Sequence, residues 1–218
     1  MITHRFREEL IRLEREKIFC NRNIELSNCV LVIGTFNPDY QSYPVESNNA
    51  EWFYGRTEKN KFWRYFPSAL TGNSLHPQDD TIGGALSWKQ YCVTNRVVII
   101  DMLKSIDHDL VLTSQKDGEL EFRISEDLSN VSIFNIAEAF HGVTFEKVLY
   151  SLKWSDARNL PKLVEIRNGI NRKLLEIGVI RNMSQIKYCM APWRRSAQNF
   201  SEVNRTSKRY SCLHERCR

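Results

Sequence analysis

Four short apolar runs, rich in β-branched residues, restrict this chain more than any other feature. They are Asn28-Cys29-Val30-Leu31-Val32-Ile33-Gly34, Arg96-Val97-Val98-Ile99-Ile100-Asp101, Lys147-Val148-Leu149-Tyr150-Ser151 and Gln185-Ile186-Lys187-Tyr188-Cys189-Met190-Ala191-Pro192. The first is continuously apolar rather than alternating, the pattern of a strand buried on both faces. Helical spacing marks residues 58–70, residues 131–140 (Val131, Phe134, Ile136, Ala137, Phe140) and residues 161–177, which open on Pro161. Strands alternating with helices predict an α/β fold with a parallel sheet covered on both faces and right-handed crossovers. An amphipathic helix is predicted over about 4–20, carrying Phe6, Leu10, Leu13 and Ile18. Residues 105–128 break the alternation and read as a polar insertion, with a hairpin turning at Asp117-Gly118.

At 218 residues the chain has room for one core, so a single domain over 1–218 is expected. A content of 42% hydrophobic and 26% charged residues excludes a disordered tail. No apolar run approaches the roughly 18–20 residues of a membrane-spanning helix. The N-terminus Met1-Ile2-Thr3-His4-Arg5-Phe6 lacks the apolar stretch of a secretory signal, so a cytoplasmic protein is expected, acting as a monomer away from membranes. Residues 189–218 hold seven Lys or Arg against two Glu, which equals the net charge of +5 of the whole chain. A neutral body with a basic end, the tail proper spanning about 201–218, fits a polyanion such as nucleic acid; it also fits a solvated tail. The six cysteines form no Cys-x-x-Cys pair, and Cys29 and Cys189 lie in apolar runs as small hydrophobes. Cys212, His214 and Cys217 lack an evident fourth ligand, so neither a metal, a cofactor nor a disulfide is expected.

In an open parallel sheet, ligands bind beyond the carboxyl ends of the strands. After the first run comes Gly34-Thr35-Phe36-Asn37-Pro38, where glycine admits close approach and proline stiffens the loop presenting Asn37. The loop is neither a dinucleotide fingerprint nor a Walker loop, and by itself it also suits a purely structural turn. Next, Trp52, Phe53, Tyr54, Phe62 and Trp63 interleave with Arg56, Lys59, Lys61 and Arg64, as stacking on bases while gripping phosphates requires. Phe62, Trp63 and Phe66 read as the core face of a helix. Phe53 and Tyr54, beside Gly55, read as a ligand surface.

These segments carry a resemblance. A strand ending in Gly-x-x-Asn-Pro, followed by aromatic-Tyr-Gly and by Asn60-Lys61-Phe62-Trp63, resembles the uracil-DNA glycosylase superfamily, nearest its mismatch-specific uracil/thymine and hypoxanthine branches. Ile99-Ile100-Asp101-Met102-Leu103-Lys104 is similar to the family's strand-Asp-Leu-Val-Lys, and Ala191-Pro192-Trp193-Arg194-Arg195-Ser196 lies where the family has its last loop. The resemblance implies a three-layer α/β/α sandwich with a central four-stranded parallel sheet. It also implies a monofunctional, metal-free enzyme that hydrolyses the N-glycosidic bond of a damaged base in DNA. By position, Asn37 matches the residue that orients the attacking water, and Asn60 the main catalytic asparagine of the hypoxanthine branch. Tyr54 or Phe53 would stack on the extracted base, against a pocket that includes Gly34 and Phe36. Trp193 would wedge into the duplex, with Arg194, Arg195 and Ser196 beside it and Arg56 and Lys59 on phosphates.

Cleaving a deoxyribose–base bond separates a sugar cation from a base anion, so a positioned amide and a closed polar site suit it better than a strong nucleophile. The base must first leave the stack. Asp39 offers a general base or a plain turn residue. Asp101 offers a catalytic carboxylate or a turn cap, and His141 a base or phosphate contact or a helix end. Phe36, larger than its family counterpart, and the insertion at 105–128 leave a second reading open: a glycosylase for bulkier modified bases of phage DNA, serving defence rather than repair. A third is a non-catalytic DNA-binding module of the same fold.

Overall fold

A computed structural model describes residues 1–23, 29–55, 62–71, 84–114, 116–151 and 159–188. The chain opens with strand β1 (Ile2–Thr3), helix α1 (Arg7–Glu16) and a small antiparallel pair, β2 (Ile18–Phe19) and β3 (Arg22–Asn23). Strand β4 (Cys29–Gly34) follows, then helices α2 (Phe62–Thr71) and α3 (Ala85–Thr94). After β5 (Val97–Asp101) and β6 (Leu103–Ile106) come α4 (Asp117–Arg123), β7 (Val131–Ile133) and α5 (Ile136–Phe140). The described chain closes with β8 (Phe145–Tyr150), α6 (Pro161–Glu176) and β9 (Ile186–Tyr188).

The central sheet has four strands in the order β5-β4-β8-β9, all parallel, with Val32 level with Ile99 on one side and Leu149 on the other. Every residue of β4 and β5 is buried, which accounts for their unbroken apolar composition. The chain leaves β4 for β5 on one side, and β8 for β9 on the other. Right-handed crossovers therefore place α2–α3 and α6 on opposite faces of the sheet. α6 buries the stripe Leu163, Ile166, Ile170 and Leu174, and α5 packs against both α1 and α6. The result is the predicted α/β sandwich around four parallel strands.

A second, antiparallel sheet, β1-β6-β7, grows out of the first. After Asp101 the chain bends at once, with the Met102 N–H donating to the Gly34 carbonyl at 2.9 Å and the Leu103 N–H to Thr35 at 3.2 Å. β1 pairs with β6, so the first residues are extended and α1 begins only at Arg7. Lys17, at φ 56°, closes that helix in the left-handed conformation. Lys104 on β6 meets both carboxylate oxygens of the buried Glu14 at 2.8 Å, and the Asn135 N–H donates to Glu14 at 2.6 Å, which fixes α1 on this sheet.

Two expectations need correction. Asp117-Gly118 does not turn a hairpin: it starts α4, because Asp117 and Glu119 suit the positive end of a helix and Leu120 is buried beneath them. Residues 131–140 are not one helix. Val131–Ile133 pair with β6, and Asn135 then caps the short α5 by accepting the Glu138 N–H at 3.1 Å.

The insertion also serves the core fold. Buried Glu121 on α4 accepts the N–H groups of Lys162 (2.8 Å) and Leu163 (2.9 Å), the first turn of α6, whose own N-cap residue Leu160 makes no side-chain bond. Glu121→Ala should therefore lower stability by about 1–2 kcal/mol, read from the urea midpoint, with Glu121→Gln recovering much of the loss. An unchanged midpoint in the alanine variant would contradict this role.

Candidate active site

The order of the central sheet reverses between β4 and β8, and the crevice beyond their carboxyl ends is the place for a ligand. Gly34 ends β4 and Tyr150 ends β8; Ser151 is tied back to β4 by its N–H on the Ile33 carbonyl at 3.0 Å.

The Asn37 loop is held as though it were a strand. His4 and Pro38 form an antiparallel bridge, the Arg5 N–H donates to the Asn37 carbonyl at 2.7 Å, and the Asp39 N–H donates to Thr3 at 2.9 Å. The N-terminal segment thus lies between β6 and this loop, since the His4 N–H donates to Lys104 at 3.0 Å. Asn48, fully buried, spreads its amide over the carbonyls of Pro38, Asp39 and Tyr43. Asn37 itself is 7% exposed on this rigid loop. Asp39 accepts the Ser42 N–H at 2.7 Å, the bond of a turn-forming aspartate.

Asp101, at the end of β5, is the carboxylate that reaches the same place. Its Oδ2 lies 2.7 Å from His4 Nε2, and both side chains are buried. His4 Nδ1 accepts the Phe6 N–H at 2.9 Å, so the proton sits on Nε2 and is donated to Asp101. The Oδ1 atom of Asp101 turns toward Gly34. A Cβ on that glycine would lie 2.0 Å from Asp101 Oδ1 and 2.6 Å from the Tyr54 hydroxyl. The first-motif glycine therefore makes room for the protein's own carboxylate and phenol.

Tyr54 arrives from the second loop under strain, with φ at 57°, a region that bulky residues seldom occupy. One ring face stacks on Phe62, centroids 4.3 Å apart. Its hydroxyl is buried and has no hydrogen-bond partner among the described residues. Burial first, then the charge of Asp101, push its pKa upward, against an opposing pull from the Ser151 hydroxyl. Behind it, Gly55 is obligatory: a Cβ there would lie 2.4 Å from the Trp88 ring. Trp88, Trp63 and Trp52 stack at 5.4 and 5.7 Å, and Trp63 Nε1 donates to the Phe53 carbonyl at 2.8 Å, which locks the loop.

Phe53 corrects the sequence reading. It is 1% exposed, its ring packed against His4, Phe6 and Trp52, so it is core and offers no surface to a base. Phe36 is half-buried with its ring edge-on to His4 at 5.3 Å. Gly34, Asp101 and Tyr54 are brought together, with Asn37 three residues further along the first loop. His141 ends α5, where its carbonyl accepts a bond from Lys17 Nζ. Asn60, Arg56, Lys59, Trp193, Arg194, Arg195 and Ser196, with Cys189 and the tail cysteines, lie outside the described residues. His4 is the residue that sequence reasoning missed: it belongs to no motif, and its partner is 97 positions away.

The described residues contain no helix long and apolar enough to cross a membrane. No protein-family model, curated protein or solved structure matches this chain.

The orphan phenol generates a prediction about stability. Tyr54→Phe removes a buried donor without a partner, so at neutral pH it should leave stability equal or raise it by up to about 1 kcal/mol. Above about pH 10 an unfolded tyrosine ionises, whereas the folded Tyr54 keeps its proton. The unfolded state then binds fewer protons, so the wild-type protein should lose stability with rising pH faster than Tyr54→Phe. Denaturant midpoints of both proteins at pH 8 and pH 11 measure the difference; parallel pH dependence would contradict it.

Proposed function

We propose that the protein is a DNA glycosylase of the uracil-DNA glycosylase type, hydrolysing the N-glycosidic bond of a flipped-out deaminated or modified base. The observation that carries this reading is the meeting of two loops beyond the switch point of a four-stranded parallel sheet. One loop presents Asn37 on a clamped backbone, and the other presents Tyr54 beside the Asp101 carboxylate over Gly34. A rigid, largely water-excluded polar site is what separation of a sugar cation from a base anion requires. Asn37 would orient water or a base carbonyl, as an amide can without neutralising the cation. The face of Tyr54 turned away from Phe62 would meet the base. The basic end of the chain, from Trp193 and Arg194 onward, would grip the duplex on either side.

The reading is tested by base release. Purified protein is incubated with duplex and single-stranded oligonucleotides carrying uracil, hypoxanthine, xanthine or mismatched thymine, and with DNA containing phage-type modified bases. Alkali-labile abasic sites should appear in at least one substrate. Asn37→Ala should cut the rate by about a hundredfold or more while DNA affinity stays within a few fold, since positioning rather than binding is lost. A rate fully retained in Asn37→Ala would move the role to Asn60. Tight, salt-sensitive DNA binding with no base release from any substrate would contradict the enzyme reading and favour a binding module.

A further inference from the structure

We propose that Asp101, aimed by His4 and assisted by the Tyr54 hydroxyl, holds and deprotonates the water that attacks the sugar; this rests on the glycosylase reading above. Three features of the molecule converge on it.

First, the two oxygens of Asp101 have different tasks. Oδ2 is fixed by the His4 Nε2–H, and that ring is fixed in turn by the Phe6 N–H, so the carboxylate cannot rotate without breaking a buried pair. Oδ1 is left facing the bare α-carbon of Gly34 at the crevice. Second, Tyr54 brings a buried hydroxyl to the same spot at the cost of a left-handed backbone, yet makes no hydrogen bond there among the described residues. An unsatisfied buried hydroxyl and a left-handed backbone are both costly, which makes a purely structural role a poor explanation of both. Third, Ser151 at the end of β8 brings its hydroxyl toward the same phenol while donating its own O–H to the Ile33 carbonyl at 3.5 Å. A carboxylate acceptor beside a hydroxyl able to donate suits a water molecule that donates to Asp101, accepts from Tyr54 and keeps its second lone pair for C1′.

Asp39, the other carboxylate near Asn37, is engaged in its turn with Ser42. In the reaction the water oxygen bonds to C1′ as the C1′–N bond breaks. The electron pair of that bond leaves with the base, which takes a proton from solvent. The water's proton passes to Asp101 Oδ1 and is later returned to solvent. The carboxylate charge also stabilises the cation forming at C1′. Asp101 is then the catalytic residue of this step, His4 its positioning residue, and Tyr54 a second contact to the water.

The test uses the full chain on whichever substrate of the panel it cleaves, with single-turnover rate and DNA affinity measured separately. Asp101→Asn should lower the rate by about 10²–10⁴-fold, the range of a lost general base, with affinity within a few fold of wild type. Tyr54→Phe should lower the rate at least tenfold without lowering the melting temperature. His4→Leu should lower the rate like a weaker Asp101→Asn, whereas His4→Gln, which keeps an N–H for the carboxylate, should recover a measurable part of it at equal melting temperature. Wild-type base release that survives unchanged in Asp101→Asn overturns this inference and leaves the glycosylase reading standing. Equal rates in His4→Leu and His4→Gln at equal stability overturn the positioning role. Absence of release by the wild-type protein from every substrate overturns the glycosylase reading, and this inference with it.

Discussion

The buried hydrogen bond between His4 and Asp101 joins the three parts of the chain on which the crevice depends. His4 belongs to the N-terminal strap, which pairs with β6 on one side and with the Asn37 loop on the other. Asp101 ends β5, the neighbour of β4 in the central sheet. This contact at 2.7 Å, together with the backbone bonds of the strap to the first loop, fixes both against the end of the parallel sheet. A bond between a neutral imidazole and a carboxylate in a dry interior is stronger than its surface counterpart, and losing either partner strands the other. The antiparallel sheet β1-β6-β7 is therefore part of the site's scaffold rather than an appendage.

The aromatic residues do a different job from the one their abundance suggests. Trp52, Trp63 and Trp88 form a stack, and Phe66, Phe62 and Tyr54 form another, centroids 4.6 and 4.3 Å apart. Most of these rings are core. Their function is to hold the second loop so firmly that Tyr54 keeps an unfavourable backbone angle and Gly55 stays pressed on Trp88. Only the last ring of the series reaches the crevice, where a phenol and a carboxylate share the space that glycine leaves free. Strain at the tip and rigidity behind it belong together: the second is what permits the first.

The four strands were legible because each lies in a short run rich in β-branched and aromatic residues, unbroken in β4 and β5, and α6 because Leu163, Ile166, Ile170 and Leu174 keep helical spacing after Pro161. α3 was not, since Leu86 points outward and only Trp88, Tyr91 and Cys92 are buried in its ten residues. α4 and β7 were misread for local reasons: Asp-Gly favours turns as well as helix starts, and three residues of strand cannot be told from helix by periodicity. In the candidate site, the motif marked the loop that follows β4, but the purpose of Gly34 and the burial of Phe53 are set by contacts from other elements. His4 carries no local signal at all. A histidine four residues from the N-terminus acquires meaning only when the sheet brings Asp101 against it.

The central claim is that the crevice beyond β4 and β8, built from Asn37, Tyr54 and Asp101, embraces a nucleotide turned out of DNA. An oligonucleotide bearing a cationic pyrrolidine in place of one sugar and its base mimics the charged transition state of the proposed reaction whatever base is excised, and on that proposal should bind far more tightly than unmodified DNA. Amide hydrogen exchange with and without that duplex locates where it sits. The account predicts added protection concentrated at residues 34–39, 52–55 and 150–151. Protection elsewhere with these segments unaffected, or affinity no greater than for plain duplex, would contradict it.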